Sequence, residues 1–495
     1  MSHRTTFNKL GKASYFLILD NLANLGIGAV FWLILAKMAD PTTIGQAMVV
    51  TGLATTVIGF TGAGIQAALS KFLSEYNARN MPNTVRGVLR RGVMGSLIIS
   101  AIMAVIISLL SGQIATLAYQ DSTLAIFIIF TITTFLPTQT IMSAMLGAFQ
   151  GMHLAKYVAM ADSIFQASRI AFVMLAFIYG LGVFGILLGV TLASCFSLAV
   201  CYFYFLPRAI PKSAAKEEKS EDGDMKKVVN FMSLNYVSVG VKILSNQFGV
   251  LVLGTQSFEW AAFYGLVLLI SKIVGSFSHS VGNALLPTAS EQWIKGNKNE
   301  LRNMVNTAIR ISILISGFGF IILMIDPMYF LSLISESYVQ AAWALRILAV
   351  AAIMTAITAI LTSLLNAANR PGDVAKISTT SSVTTITLTL ILTRIQGLEG
   401  AAIAMFVGSA LGLSLSLITL RRKENMIISS RSMIKPFIAI MSGLMVGYVF
   451  VIFNHVLLGI IVAVVCYAMF SIVYRVTTKR EIKQLIGIAI NGNAK

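Results

Sequence analysis

Seven charged side chains fall inside stretches of this 495-residue chain that are otherwise apolar, and they have the most chemistry to offer. Asp20 lies in the first stretch, Asp162 and Arg169 in the fifth, Lys242 in the seventh, Lys272 in the eighth, Arg310 in the ninth and Arg346 in the tenth. A charge at the centre of a bilayer costs about 2.5 to 3.5 kcal/mol even on insertion scales, so these groups must face a cavity or one another. Five cations against two anions leave the interior positive, a field that favours an anionic ligand in a low-dielectric setting.

Residues three, four and seven apart share one face of a helix. Asp162, Gln166 and Arg169 form one polar stripe; Asn235, Ser238 and Lys242, with Ser245 or Asn246, form a second; Lys272, Ser276, His279 and Asn283 form a third. Polar faces of this length line water or a polar ligand. Lys242 and Lys272 are the leading candidates for holding an anion, because both sit in the middle of their stretch with no acidic residue on the same helix. Arg169, His279, Asn235 and Asn283 join them as substrate-binding candidates. Bland roles compete: Arg310 and Arg346 are close enough to a membrane face to snorkel, Asp162 and Arg169 can pair within one helix, Asp20 can pack with Asn21 and Asn24, and His279 can be an interior histidine with satisfied hydrogen bonds. Thr131, Thr133, Thr134 and Thr138 around Pro137, and Ser378 to Ser382, offer hydroxyls to a sugar, although packing between helices is the commoner use.

The elements that must carry these residues follow from composition. Hydrophobic residues make up 57% and charged residues 11% of the chain, with a mean hydropathy of +0.83; soluble domains carry roughly 25% charged residues. Apolar runs of the roughly 20 residues needed for one helical crossing recur from Ser14 almost to the C-terminus, so the fold class is all-α, a polytopic membrane protein of about fourteen transmembrane helices. The first run exceeds the h-region of a signal peptide and is read as a helix. Cys195, Cys201 and Cys466 all fall in apolar runs, which argues for packing rather than a disulfide framework or metal site. No phosphate-binding Gly-rich loop, His-Glu-x-x-His or Cys-x-x-Cys occurs. No cofactor, metal or enzymatic activity is expected, and gradients must drive any work.

The net charge of +18 reports topology rather than nucleic acid. Of 37 Lys and Arg, thirty lie in one alternating set of loops and termini, and only Lys37 and Arg394 in the other. Cytoplasmic loops retain such residues, which places both termini in the cytoplasm and the protein in the plasma membrane. The one long polar segment, Pro207 to Lys227, reads as a linker. The expected domains are an N-terminal six-helix bundle over 1–206, the linker 207–227, a C-terminal six-helix bundle over 228–420, and two further helices with a tail over 421–495. The bundles look like repeats. Ser74-Glu75 with Asn83 and Arg86 recurs as Ser290-Glu291 with Asn299 and Arg302, Gly182-Val183-Phe184-Gly185 as Gly397-Leu398-Glu399-Gly400, and Ala155-Lys156 as Ala375-Lys376. An even number of spans per copy makes the repeats parallel.

Leu35-Ala36-Lys37-Met38-Ala39-Asp40-Pro41-Thr42-Thr43-Ile44-Gly45 resembles the N-terminal signature of prokaryotic polysaccharide flippases, and Gly397-Leu398-Glu399-Gly400-Ala401-Ala402-Ile403-Ala404 resembles their C-terminal-half signature. Their superfamily also holds the MATE multidrug transporters and the lipid II flippases. The resemblance covers essentially the whole chain. It implies a MATE-like fold, a central cavity lined mainly by spans one, two, seven and eight, and alternating access. Through it, Asp20 matches the acidic residue that MATE-like exporters use on span one, and Asp20, Asn24 and Asp162 become candidates for proton or sodium coupling. The Arg-Asp pattern of lipid II flippases is missing, since Leu19 precedes Asp20. The function expected is translocation of an anionic polyprenyl-phosphate- or pyrophosphate-linked oligosaccharide, with the lipid-linked saccharide and membrane lipids as partners, no nucleic acid, and a monomeric protein. A cation-coupled multidrug exporter is the nearest rival, disfavoured by the positive interior. A membrane-embedded glycan polymerase or ligase needs longer external loops than those near 111–122 and 326–339.

Overall fold

A computed structural model describes residues 26–79, 81–209, 225–424, 426, 428–453, 455–474 and 476. Side chains are described for these residues except 63, 78, 225–238, 277, 279, 280, 283, 284, 287, 288 and 430–432. Asp20 and Asn24 lie outside the described residues, as does most of the 207–227 segment.

The chain is helical, as its composition predicts. The elements in order are α1 (Gly26–Met38), α2 (Pro41–Thr61), α3 (Ala63–Ala78), α4 (Pro82–Gln113), α5 (Leu124–Gly151), α6 (Ala155–Ile178), α7 (Gly182–Val200), the short α8 (Leu206–Ala209), α9 (Met225–Gly254), α10 (Phe258–Ile294), α11 (Lys298–Ile325), the short α12 (Pro327–Ser332), α13 (Ala342–Ala367), α14 (Pro371–Glu424), α15 (Ser430–Ile452) and α16 (Val456–Val473). Single π-helical turns follow α4 and α7, at Ile114–Ala118 and Cys201–Phe205. Eleven helical segments among the described residues are long and apolar enough to cross a membrane. One of them, α14, folds at Gly397 into two helices. Two shorter apolar helices, Gly26–Met38 and Val239–Gly254, accompany them.

Local chemistry sets the helix ends. Asp40 caps α2, accepting from the Thr43 amide at 2.9 Å and its hydroxyl at 2.8 Å, with Pro41 in the first turn. Asp326 and Pro327 repeat the device at α12. A side-chain oxygen meets an orphan amide, and proline needs no partner there. The second crossing breaks at Gly62 between α2 and α3, and α5 carries Pro137 in its interior. A hydrogen bond of 3.1 Å between Thr61 and Thr140, both buried, ties the two together near these irregularities.

The repeats read from the sequence share a common layout. Pro41 and Phe258, Pro82 and Lys298, Leu124 and Ala342, and Ala155 and Pro371 each open a helix, and the two members of every pair are 216 to 218 residues apart. Matched motifs adopt matched geometry. Glu75 pairs with Arg79, and Glu291 with Lys295, each across one helical turn. Gly182 and Gly397 both take a positive φ, of 52° and 53°, ahead of a new helix. His153 and Asn369 do the same, at 61° and 59°, ahead of α6 and α14.

Two compact units emerge. One is Met38–Ala262; the other joins the described parts of Met1–Lys37 and Phe263–Lys495. In the first, glycines let backbones meet: a Cβ at Gly45 would overlap the Phe258 carbonyl, and one at Gly147 would press on the backbone of Gln66. In the second, the arms of α14 close on one another, Gly400 against the Leu392 carbonyl and Gly408 against Thr385. Small residues permit this approach where no hydrophobic force drives helices together. The C-terminal pair, α15 and α16, packs through Gly443, Gly447 and Gly459.

Candidate functional site

Lys242 stands on α9, whose packing decides where that side chain points. The opposite face of the helix forms a seam with α2: a Cβ at Gly59 would come within 2.9 Å of Ile243, and one at Gly52 would touch Gln247 and Leu251 at 3.6 and 3.5 Å. At about 100° per residue, Ile243, Gln247 and Leu251 share that seam and Lys242 lies roughly 140° away from its centre. Between Val239 and Gly254 Lys242 is the one exposed side chain. A cation in the middle of an apolar helix, turned away from the packing seam and left accessible, is what a ligand-binding role requires. Asn246 is partly exposed on the same side, whereas Ser245 is buried and donates its hydroxyl to the Lys242 carbonyl at 2.9 Å.

Lys272 stands on α10, in the other unit, and is partly exposed. Its neighbours are spent on packing. Ser271 and Ser276 donate to the carbonyls of Leu268 and Ile273 at 2.8 and 2.7 Å, Ser278 lies 3.4 Å from Ser316 of α11, and a Cβ at Gly275 would stand 3.1 Å from the Ala352 carbonyl of α13. Asn235, His279 and Asn283 fall on the same two helices, but their side chains are not among those described.

The stripe on α6 has a different setting. Ala161 accepts from Ser197 of α7 at 2.9 Å, and Gly189 of α7 sits against Val173, so α6 and α7 are tightly joined. Gln166 is 8% exposed, Arg169 lies 5.6 Å above the Phe165 ring, and Asp162 is close enough to Cys201, in the π-helical turn after α7, to act on it electrostatically. The residues do share a face, one that runs beside the α7 contact. Arg310 donates to Thr307 one turn away, at 3.0 Å. Arg346 stacks 4.7 Å from the exposed ring of Trp343.

The hydroxyls around Pro137 serve their own helix, and Thr138 also accepts from Ser194 of α7 at 2.9 Å. Thr133 donates to Ile129, Thr134 to Phe130 and Thr138 to Phe135, all carbonyls of α5 itself. On α14, Ser381, Thr385, Thr389 and Thr393 form a ladder in which each hydroxyl serves a carbonyl three or four residues back. Sequence reading did not single out Tyr119, which donates to the Leu251 carbonyl at 3.3 Å and stacks on Phe258, thereby capping the helix that carries Lys242. Its apolar surroundings give no signal of this in the sequence.

Comparison with known proteins supplies independent findings. Residues 10–293 match the family model described as polysaccharide biosynthesis protein, and residues 238–391 match the MatE model. The lipid II flippase MurJ of Bacillus subtilis is 25% identical over 338 residues, covering 61% of this chain and 62% of that protein. The chain thus matches somewhat under two thirds of that relative's length. Among solved structures, a lipid II flippase MurJ in an inward closed conformation superposes with a TM-score of 0.74 at 13% identity, over 95% of this chain and all of that one. A multidrug resistance MATE family transporter of the MOP superfamily, inward-facing, gives 0.64 at 13% identity, over 82% and 96%. The fold is therefore MurJ- and MATE-like.

Proposed function

This chain belongs to the polysaccharide biosynthesis protein family, and on that footing we propose that it is a flippase moving an anionic polyprenyl-phosphate- or pyrophosphate-linked oligosaccharide across the plasma membrane. It works as a transporter rather than an enzyme. The observation that carries the reading is the exposed side chain of Lys242, in the middle of an apolar helix and on the side away from its packing seam. Lys242 and Lys272 hold the phosphate head, with Arg169, His279, Asn235 and Asn283 contributing around it, and the glycan occupies the polar surroundings while the prenyl tail stays in lipid. Alternating access then releases the head outside. Moving one negative charge outward from a negative interior releases about 2.3 kcal/mol per 100 mV, so membrane potential alone assists the step. Asp20, Asn24 and Asp162 are where a proton or sodium ion would couple. Both termini face the cytoplasm, and one chain suffices.

The test replaces both lysines. In cells that depend on this chain, Lys242→Gln with Lys272→Gln should abolish surface glycan at unchanged protein level; glycan at the normal amount would remove the two residues from the mechanism. A second reading has its own support in the MatE match over 238–391, namely a cation-coupled multidrug exporter. Deletion that sensitises cells to cationic drugs while leaving surface glycan intact would favour it.

A further inference from the structure

We propose that the loop joining α4 to α5 is a releasable latch on α9, the helix that carries Lys242, and that Tyr119 and Asp121 close it; the proposal rests on the transporter reading above. The sequence places α9 first in the second six-helix bundle, yet α9 packs in the Met38–Ala262 unit. Its counterpart α1, first in the other bundle, is likewise grouped with the later copy. Each opening helix has left its own bundle, a placement for which the repeat offers a symmetric alternative. The seam that holds α9 is built on glycines: Gly45, Gly52 and Gly59 recur every seven residues on α2. Gly52 and Gly59 meet Leu251 and Ile243, and Gly45 meets the Phe258 carbonyl just past the end of α9.

Polar links gather at the Gly254 end of this seam. α4 passes into the π-helical turn Ile114–Ala118, and between Thr116 and Thr123 the one buried side chain is Tyr119. Its hydroxyl donates to the Leu251 carbonyl at 3.3 Å and its ring stacks on Phe258. Gly254 makes room for it, since a Cβ there would stand 3.1 Å from the ring and press on Val49 of α2 at 2.5 Å. Two residues on, Asp121 accepts from Gln46 of α2 at 2.9 Å, while its other oxygen takes the amide and hydroxyl of Thr123. One loop thus grips both helices. The grip has a wet alternative. The Leu251 carbonyl is among the last of α9, which lack helical partners; the Thr255 and Gln256 amides turn back to Val252 and Leu253 instead, so water can replace Tyr119. Gln46 and Asp121 are both partly exposed, and their bond exchanges for water in the same way. Gln120 holds a φ of 54°, a backbone that is costly for a residue with a side chain and persists where its surroundings impose it. Release of the loop relieves that strain and lets α9 part from α2 at this end.

The experiment labels a cysteine placed in the seam. Val49 is 0% exposed and faces Gly254. Val49→Cys in the full chain is probed in intact cells with a membrane-impermeant maleimide, against the background from Cys195, Cys201 and Cys466 in the natural chain. Tyr119→Phe keeps the ring and removes the donor, and should speed labelling about three-fold, the factor for about 0.6 kcal/mol per hydrogen bond between membrane helices. Adding Gln46→Leu should bring the factor to about eight-fold. Tyr467→Phe, which removes a tyrosine hydrogen bond in the other unit, should leave the rate unchanged. If Val49→Cys does not accumulate, Leu251→Cys reports from the facing side of the seam. The latch is refuted if Tyr119→Phe leaves labelling as it was at normal expression, if Tyr467→Phe raises it equally, or if the cysteine reacts only in inverted membrane vesicles. None of these readouts depends on glycan export or on Lys242 and Lys272, so the latch and the flippase reading fail separately.

Discussion

Tyr467 of α16 donates a 2.7 Å hydrogen bond to the carbonyl of Leu314, within the membrane stretch of α11. Its ring is fully buried and meets Phe318 edge-on, and Gly317 provides the space for its hydroxyl. Asn306 of the same helix accepts from the Ser429 amide just before α15, at 3.1 Å. The two helices outside the repeat are thus stitched to α11 at two heights.

Tyr467→Phe keeps the ring and removes the donor. Hydrogen bonds between membrane helices average about 0.6 kcal/mol and reach about 1.7, so unfolding in detergent should move down by a few degrees at most. Gly317→Ala should be worse, because the added methyl would overlap the Tyr467 hydroxyl. Equal melting of the two variants would contradict the proposed fit.

Gly397 and Gly400 serve one turn in different ways. Gly397→Ala forces a side chain into a positive-φ conformation, φ 53° and ψ −125°, at about 1 to 3 kcal/mol. Gly400→Ala drives a methyl into the Leu392 carbonyl, where backbone must shift, so the loss of stability and expression should be greater. Gly182→Ala, at φ 52°, should behave like Gly397→Ala if the repeat extends to energetics. Thermal unfolding of the three variants decides this.

Asp40 gives a pH-dependent test outside the membrane. Burial opposes its ionisation, but the amide and hydroxyl of Thr43 outweigh that and hold its carboxyl below the ordinary value of 3.8. With the folded group more acidic than the unfolded one, its stabilisation is complete above about pH 3.8 and is lost as pH falls through the folded value. Asp40→Ala should cost about 0.5 to 2 kcal/mol near neutrality, as for other caps. Its deficit relative to the natural chain should shrink in acid; a deficit that grows on acidification would show that the carboxylate is not the cap.

The crossings were legible because apolar length and the loss of charge from alternate loops are linear properties of a chain. Lys242 was legible for the same reason, as a charge where none is tolerated without cause. The membership of the units was not, because Gly52, Gly59 and Gly240 form the seam between α2 and α9 through the absence of side chains, and absence has no pattern that distinguishes one partner from another. The serine and threonine hydroxyls stayed ambiguous in sequence, since the same group can face a sugar or its own helix. Ser245 and Ser276 resolve toward their own helices only once the backbone is in place.

A residue kept for ligand binding rather than for folding should show the trade-off. Lys242→Gln is expected to leave thermal stability unchanged or raise it, since a mid-bilayer charge costs about 2.5 to 3.5 kcal/mol, while export of glycan falls. Parallel loss of both would make Lys242 a structural residue.

The composition of the two units bears on how ribosomes and translocons must deliver this protein. The earliest helix among the described residues, α1, is grouped with a unit whose other members begin only at Phe263, while the Met38–Ala262 unit lacks α9 until that helix has been made. Neither unit can close on nascent chain from one side of the 210–224 segment. Early helices must therefore wait in the bilayer for late ones, a long-range assembly of the kind that slows folding, and a chain severed in that segment should regain structure only when both fragments are synthesised together.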